Sequence, residues 1–141
     1  MASITYNSFK KNLLTGVFDL ESDTINLALV TSDYTPNIDT HEFWDDVTHE
    51  VAGTGYTAGG KELQDKSVTQ DNDGDQGVWD AEIVVWANSV LTARGAVLYK
   101  DTGNAATSPL IRYFDFGMNY TTDGGAFNVS WPANGILVAW P

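Results

Sequence analysis

Asp71, Asp73 and Asp75 alternate through the stretch DNDGDQG, and Glu82 follows at the spacing of a calcium loop's last ligand. Carboxylates at the first, third, fifth and twelfth positions of such a loop can converge on one hard cation. The sixth position, where the sharp turn needs glycine, is Gln76, and Gly77 comes one residue late. The flanks read as strands rather than helices. A solvated acidic turn is therefore the preferred reading, and no metal or other cofactor is expected. His41, Asp45 and His49 lie four apart and would share one face of a continuous helix, as zinc or nickel ligands could. The spacing lacks the second histidine of H-E-x-x-H, so a polar helix end is preferred there too.

Other chemistries fit less well. The segment VAGTGYTAGGKEL carries Gly53, Gly55, Gly59 and Gly60 around Tyr56. Gly55 through Lys61 satisfies G-x-x-x-x-G-K, but Glu62 replaces the hydroxyl of a phosphate loop and would repel phosphate. Glycine tolerates positive φ and close backbone approach, so the cluster reads as a structural corner. Carboxylate pairs such as Asp45/Asp46 and Asp80/Glu82 are ordinary in an acidic chain and give no acid–base signature. No serine occupies a G-x-S-x-G elbow. Of the five tryptophans, Trp79, Trp86, Trp131 and Trp140 lie in strand-like runs expected to be core. Trp44 is the one expected at the surface. These weighings favour a non-enzymatic protein.

The elements that would position these residues are mostly strands. The 141 residues suit one domain, 1–141, able to bury roughly two thirds of its unfolded surface. High Val, Thr and aromatic content favours β-structure. Seven basic against 19 acidic side chains give −12, which argues against nucleic acid as a partner and for a partner with a basic face. There is no cysteine, so disulfides and thiolate chemistry are excluded. The N-terminus lacks the continuous apolar run of a signal peptide, and no stretch has the length to cross a bilayer, so no membrane partner is expected.

Along the chain, Asn7-Ser8 with Phe9, Leu13, Leu14 and Gly16 predicts a two-turn helix whose apolar stripe must dock on something. Thr24–Thr31 alternates as a strand. Asp39-Thr40-His41-Glu42 reads as a capping box opening a second short helix with Phe43, Trp44 and Val47. Lys61–Thr69 reads as an edge strand and Asp71–Gly77 as a turn. Ala81–Ala87, Ala93–Tyr99, Leu110–Phe116, Ala126–Trp131 and Ile136–Trp140 read as further strands. Within them Ile83–Trp86 is apolar throughout, as a strand buried on both faces would be. The expected fold is all-β, a β-sandwich or barrel-like domain, with two short helices in the N-terminal third.

Four segments resemble a family of small virion proteins of tailed bacteriophages, of the capsid decoration (cement) type. They are YTPNIDTHEFWDDV with the following GTGYTAGGKEL, then VVWANSVLTARGAVLYK, then PLIRYFDFG, and finally GGAFNVSWPANGILVAW. Together they run from position 34 to 140. The resemblance implies a non-enzymatic, β-rich protein made in the host cytoplasm and placed on the capsid exterior. Its partners would be the major capsid protein and itself, as a homotrimer. Head-fibre or tail structural roles, and an adhesion module stacking a host glycan on Trp44 or Tyr56, are the alternatives. The N-terminal segment 1–16 is expected to dock on a neighbouring subunit, and Phe9, Leu13, Trp44 and Tyr56 are the interface candidates.

Overall fold

In the computed structural model, which describes residues 2–140, strand β2 (Ile25–Val30) lies inside a five-stranded antiparallel sheet. Its neighbours are β7 (Val90–Lys100) on one side and the two-residue β3 (Lys61–Glu62) on the other. Beyond β7 come β8 (Leu110–Asp123) and β1 (Ile4–Thr5). Strand β2 and the Gly95–Tyr99 half of β7 are largely apolar on both faces because both faces are covered. Ile25, Leu27, Leu29, Ala96 and Leu98 point into one core. Ala28, Val30, Val97 and Tyr99 point into another. Their period-two alternation thus sorts one apolar face from a second rather than core from solvent.

The first core is closed by the helix α1 (Asn7–Leu14) through Phe9, and by two smaller antiparallel sheets. One has the order β10 (Leu137–Ala139), β5 (Gln76–Asp80), β4 (Ser67–Asp71). It contributes Trp79, whose indole N–H donates to the Leu20 carbonyl at 3.0 Å. The other pairs β6 (Val84–Trp86) with β9 (Phe127–Val129). The second core is closed by Tyr6 and by the segment from Tyr34 to Val47.

Among the described residues there is one α-helix, not two. The expected second helix is a single 3-10 turn, Trp44–Asp46, preceded by an extended Phe43 and a separate turn at residues 38–40. Phe43 forms an isolated β-bridge to Pro109, and the Trp44 N–H donates to the Ser108 carbonyl at 2.8 Å. Those bonds to a distant loop hold the backbone out of an α-helix. The expected capping carboxylates are displaced as well. Asn37 Oδ1 accepts from the N–H groups of Asp39 and Thr40, and Asp46 Oδ2 from those of Glu42 and Phe43.

Ile83–Trp86 also differs from expectation. Val84 and Trp86 are buried, but Val85 is half-buried and Ile83 is 51% exposed. The run belongs to a two-stranded ribbon folded back from the main sheet. The β7–β8 ladder continues through bonds between Ser89 and the Gly124–Gly125 corner into β6–β9. Positive φ at Asn88 (50°) and Gly124 (95°) makes the bend possible. Midway along the ladder, Arg94 alone stands between the pairs Ala93↔Tyr120 and Gly95↔Asp115. Opposite it stand Phe116–Gly117–Met118–Asn119, three residues more than β7 supplies, extruded as a bulge. Among the described residues no helix is long and apolar enough to cross a membrane.

The glycine corner is read correctly from sequence, and its strictest position is Gly60. Its φ is +81°, and a Cβ there would run into the Leu27 carbonyl. Gly103 has a similar φ, +86°, with nothing within 4 Å of a Cβ. Gly60→Ala should therefore lower unfolding free energy by roughly 2–4 kcal/mol, strain plus overlap, and Gly103→Ala by only about 1 kcal/mol. Urea unfolding of both variants checks this, and equal losses would mean that β2 and the corner are not in that contact.

Candidate functional site

Tyr56, at the centre of the glycine corner, is a strut. Its hydroxyl donates to Glu50 Oε2 at 2.6 Å and accepts from the Leu29 N–H at 3.0 Å. Burial is the largest of the causes that push its pKa up. The Gly59 N–H donates to the same Glu50 oxygen at 2.7 Å, and Lys61 Nζ donates to the Val85 carbonyl at 2.6 Å. The loop's donor and its lysine thus face groups of the chain itself, where a phosphate loop would hold a phosphate.

The acidic stretch DNDGDQG is the tip of the β4–β5 hairpin. Asp71 Oδ1 accepts from the N–H groups of Asp73 (3.2 Å) and Gly74 (3.1 Å), and Oδ2 accepts from Gln76 Nε2 at 2.8 Å. Those bonds, the Gly74 N–H foremost, hold the Asp71 carboxyl below its ordinary range. Asp71 closes the turn, and among the described residues no three His, Asp or Glu side chains could hold a metal ion together. Nor do His41, Asp45 and His49 share a helical face. His41 Nδ1 accepts from the Tyr34 hydroxyl (2.9 Å) and the Asn37 N–H (3.2 Å). His49 lies beyond the 3-10 turn at φ 60°. Tyr34 in turn accepts from the Tyr6 hydroxyl at 2.8 Å, and burial pushes the Tyr34 pKa up to about 12.

The aromatic candidates are redistributed. Phe9 is buried, edge-on to Phe18 at 4.9 Å, and Leu13 is half-buried beside it. Trp44 is half-buried and stacks on Tyr99 at 4.3 Å between centroids. Trp79 and Trp86 are core, whereas Trp140, expected there, is 70% exposed. It lies past the last residue of β10 at φ 50°, so no strand places it inward.

Three open places stand out on the surface of the described residues. A cleft of about 500 Å³ runs between α1 and β10, lined by Phe9, Lys10, Leu13, Leu14, Leu137 and Trp140 among others. A depression along the small sheet reaches from Val68 and Gly77 to Trp140, with Asp71 and Asp75 at its far end. A third, of about 430 Å³, lies between the β8 bulge and β9, where Phe116, Tyr120, Phe127, Asn128 and Ser130 contribute no charge. Leu14 (74%), Met118 and Tyr120 are the other prominent exposed apolar groups. Sequence reasoning missed Trp140, Met118 and Tyr120. The broken alternation of FGMNY was the available signal for the last two.

On the other face of the β8 bulge, Arg94 Nε donates to Asp115 Oδ1 at 2.8 Å. That bond chiefly holds the Asp115 carboxyl down to about 2.

The chain matches no protein-family model, and comparison with curated proteins and with solved structures finds none similar to it.

The Asp115 carboxyl titrates lower in the folded chain, about 2 against 3.8. Its contribution is therefore whole above 3.8 and is lost as pH falls toward 2. Asp115→Asn should be less stable than wild type near neutrality, with the gap closing across that acid window in pH-resolved urea unfolding. A gap that stays constant with pH would exclude the carboxylate as its source. Because Asp71 already closes the turn, millimolar calcium or EDTA should leave the melting temperature of the full chain unchanged. A calcium-dependent rise abolished by Asp73→Ala would overturn that assignment.

Proposed function

We propose that this chain is a non-enzymatic structural protein of a tailed-bacteriophage virion, a capsid decoration protein that binds the assembled major capsid shell and stabilises it. The four-segment resemblance supports this reading. The observation that carries it physically is where the reactive residue types go. The carboxylates, histidines and tyrosines that could do chemistry are engaged in holding loops, as Glu50, Asp71 and His41 are. Four of the exposed large apolar groups instead line open surfaces, Leu14 and Trp140 at one cleft, Tyr120 at another and Val68 on the small sheet. Exposed apolar groups beside a polar rim are what binding surfaces use. We read the small sheets packed over one face of the large sheet as a sandwich-like body suited to lie on a shell. A protein that binds only the assembled shell stabilises it by mass action. With a net charge of −12, its docking site on the shell is less acidic than itself, or basic.

A second reading, glycan adhesion, is favoured by the uncharged cleft at Tyr120 rather than by Trp44 or Tyr56, which are engaged internally.

A mass-spectrometric inventory of purified virions, separated into heads and tails, should find the chain in heads. Heads lacking it should assemble but rupture at lower temperature, and added purified protein should restore them with only modest salt dependence. Stripped heads as heat-resistant as complete ones would overturn the cementing role. Recovery in tails alone would move the chain to the tail.

A further inference from the structure

The three-stranded sheet is open at both ends. Among the described residues β10 pairs only with β5, and β4 pairs only with β5, so each presents an unpaired edge. Open edges invite a further strand unless something blunts them. The two differ in character. Beside β10 runs the apolar cleft against α1, with Leu14 74% and Trp140 70% exposed. Its rim carries Lys10, whose Nζ donates to Asn7 Oδ1 at 3.1 Å, and Lys11 follows it on α1; neither is in an ion pair among the described residues. Elsewhere most cations are engaged: Arg94 with Asp115, Lys100 with Asp23, and Lys61 and Arg112 on backbone carbonyls. At the opposite edge, β4 exposes Val68 (45%) and runs into the hairpin tip with Asp73 and Asp75.

We propose that the α1–β10 cleft is the seat for the β4–β5 hairpin of a second copy of this chain. Strand β4 of one protomer adds along β10 of the next, Val68 is covered against Leu14 and Trp140, and the Asp73/Asp75 tip meets Lys10 and Lys11. The occupant is a second copy because one molecule carries both halves, an apolar cleft with cations at its rim and an acidic hairpin with a free edge. A chain of net charge −12 repels itself in most orientations, and this register sets Lys10 and Lys11, which have no acidic partner of their own among the described residues, against its carboxylates. The contact joins two different surfaces, so it repeats from copy to copy until a ring closes. It rests on the reading that the chain assembles with itself and is independent of what the ring binds.

Light scattering during size-exclusion chromatography of the full chain tests this. Wild type should run as a closed oligomer at micromolar concentration. Lys10→Glu/Lys11→Glu and Asp73→Lys/Asp75→Lys, each confirmed folded by circular dichroism, should associate at least about tenfold more weakly, the loss of about 1.4 kcal/mol. The variant carrying all four substitutions, with the charges exchanged, should recover the oligomer. A monomeric wild type, an oligomer indifferent to either pair, or a folded four-fold variant that stays monomeric would each overturn the proposal. A monomer that still cements heads would leave the virion role standing. A charge-exchangeable oligomer absent from virions would do the reverse.

Discussion

The structure depends on closing the outer edge of β2. That strand is buried on both faces, so every backbone group along it needs a partner supplied by the protein. On the inner side β7 satisfies the whole strand. On the outer side β3 pairs only with Asn26 and Leu27, and the rest is assembled from pieces. The Leu63 N–H donates to the Ile25 carbonyl, the Val51 N–H donates to the Leu29 carbonyl, and Glu50 bridges Val30. Between these pieces the Leu29 N–H has no strand opposite it, and the Tyr56 hydroxyl accepts it instead. Glu50 holds that hydroxyl in place and also takes the Gly59 N–H. The glycine corner is therefore part of the sheet: its glycines let the backbone approach closely enough for one tyrosine to stand in for a missing strand.

That arrangement explains which parts of the fold are legible in sequence. The alternation of Ile25, Leu27 and Leu29 with Ala28 and Val30 marks a strand apolar on both faces. The acidic turn before β5 and the Asp123-Gly124-Gly125 corner follow from residue type alone. What fails is what a distant partner decides. Asp39–Val47 carries sound local helix signals, but Ser108 and Leu110 bond its backbone from more than sixty residues away. Ile83–Trp86 has the composition of a central strand, yet the bend at Asn88 carries it out of the main sheet and leaves Ile83 exposed. The tryptophans exchange roles for the same reason. Trp44 finds Tyr99 to stack on, and Trp140 runs past the last paired residue of its strand.

The candidate site is legible only by subtraction. The His41/Asp45/His49 and calcium-loop constellations do not assemble in space, and the residues of them that are engaged serve the fold itself. Asp71 turns a hairpin, His41 terminates a hydroxyl chain from Tyr6 through Tyr34, and Glu50 secures an edge. A carboxylate that accepts two backbone N–H groups is already stabilised as an anion and gains little from a cation. The same bonds that make these residues look poised for chemistry therefore lower their tendency to perform it.

Charge follows a similar division. Of the few basic side chains, those on the sheets are engaged: Arg94 sits on the β8 bulge with Asp115, and Lys100 ties β7 to Asp23. Arg112 is half-buried, lies 5.1 Å over the Phe114 ring and has its pKa lowered by desolvation. The acidic excess is left to the surface, where mutual repulsion keeps copies apart unless carboxylates meet cations. On α1, Lys10 and Lys11 stand without an acidic residue in the first turn beneath them. The three-stranded sheet thus has a cationic, apolar-lined cleft beside one unpaired edge and an acidic hairpin beside the other. In the proposed assembly, like charge opposes most encounters and an open strand favours those that bring a matched edge into register.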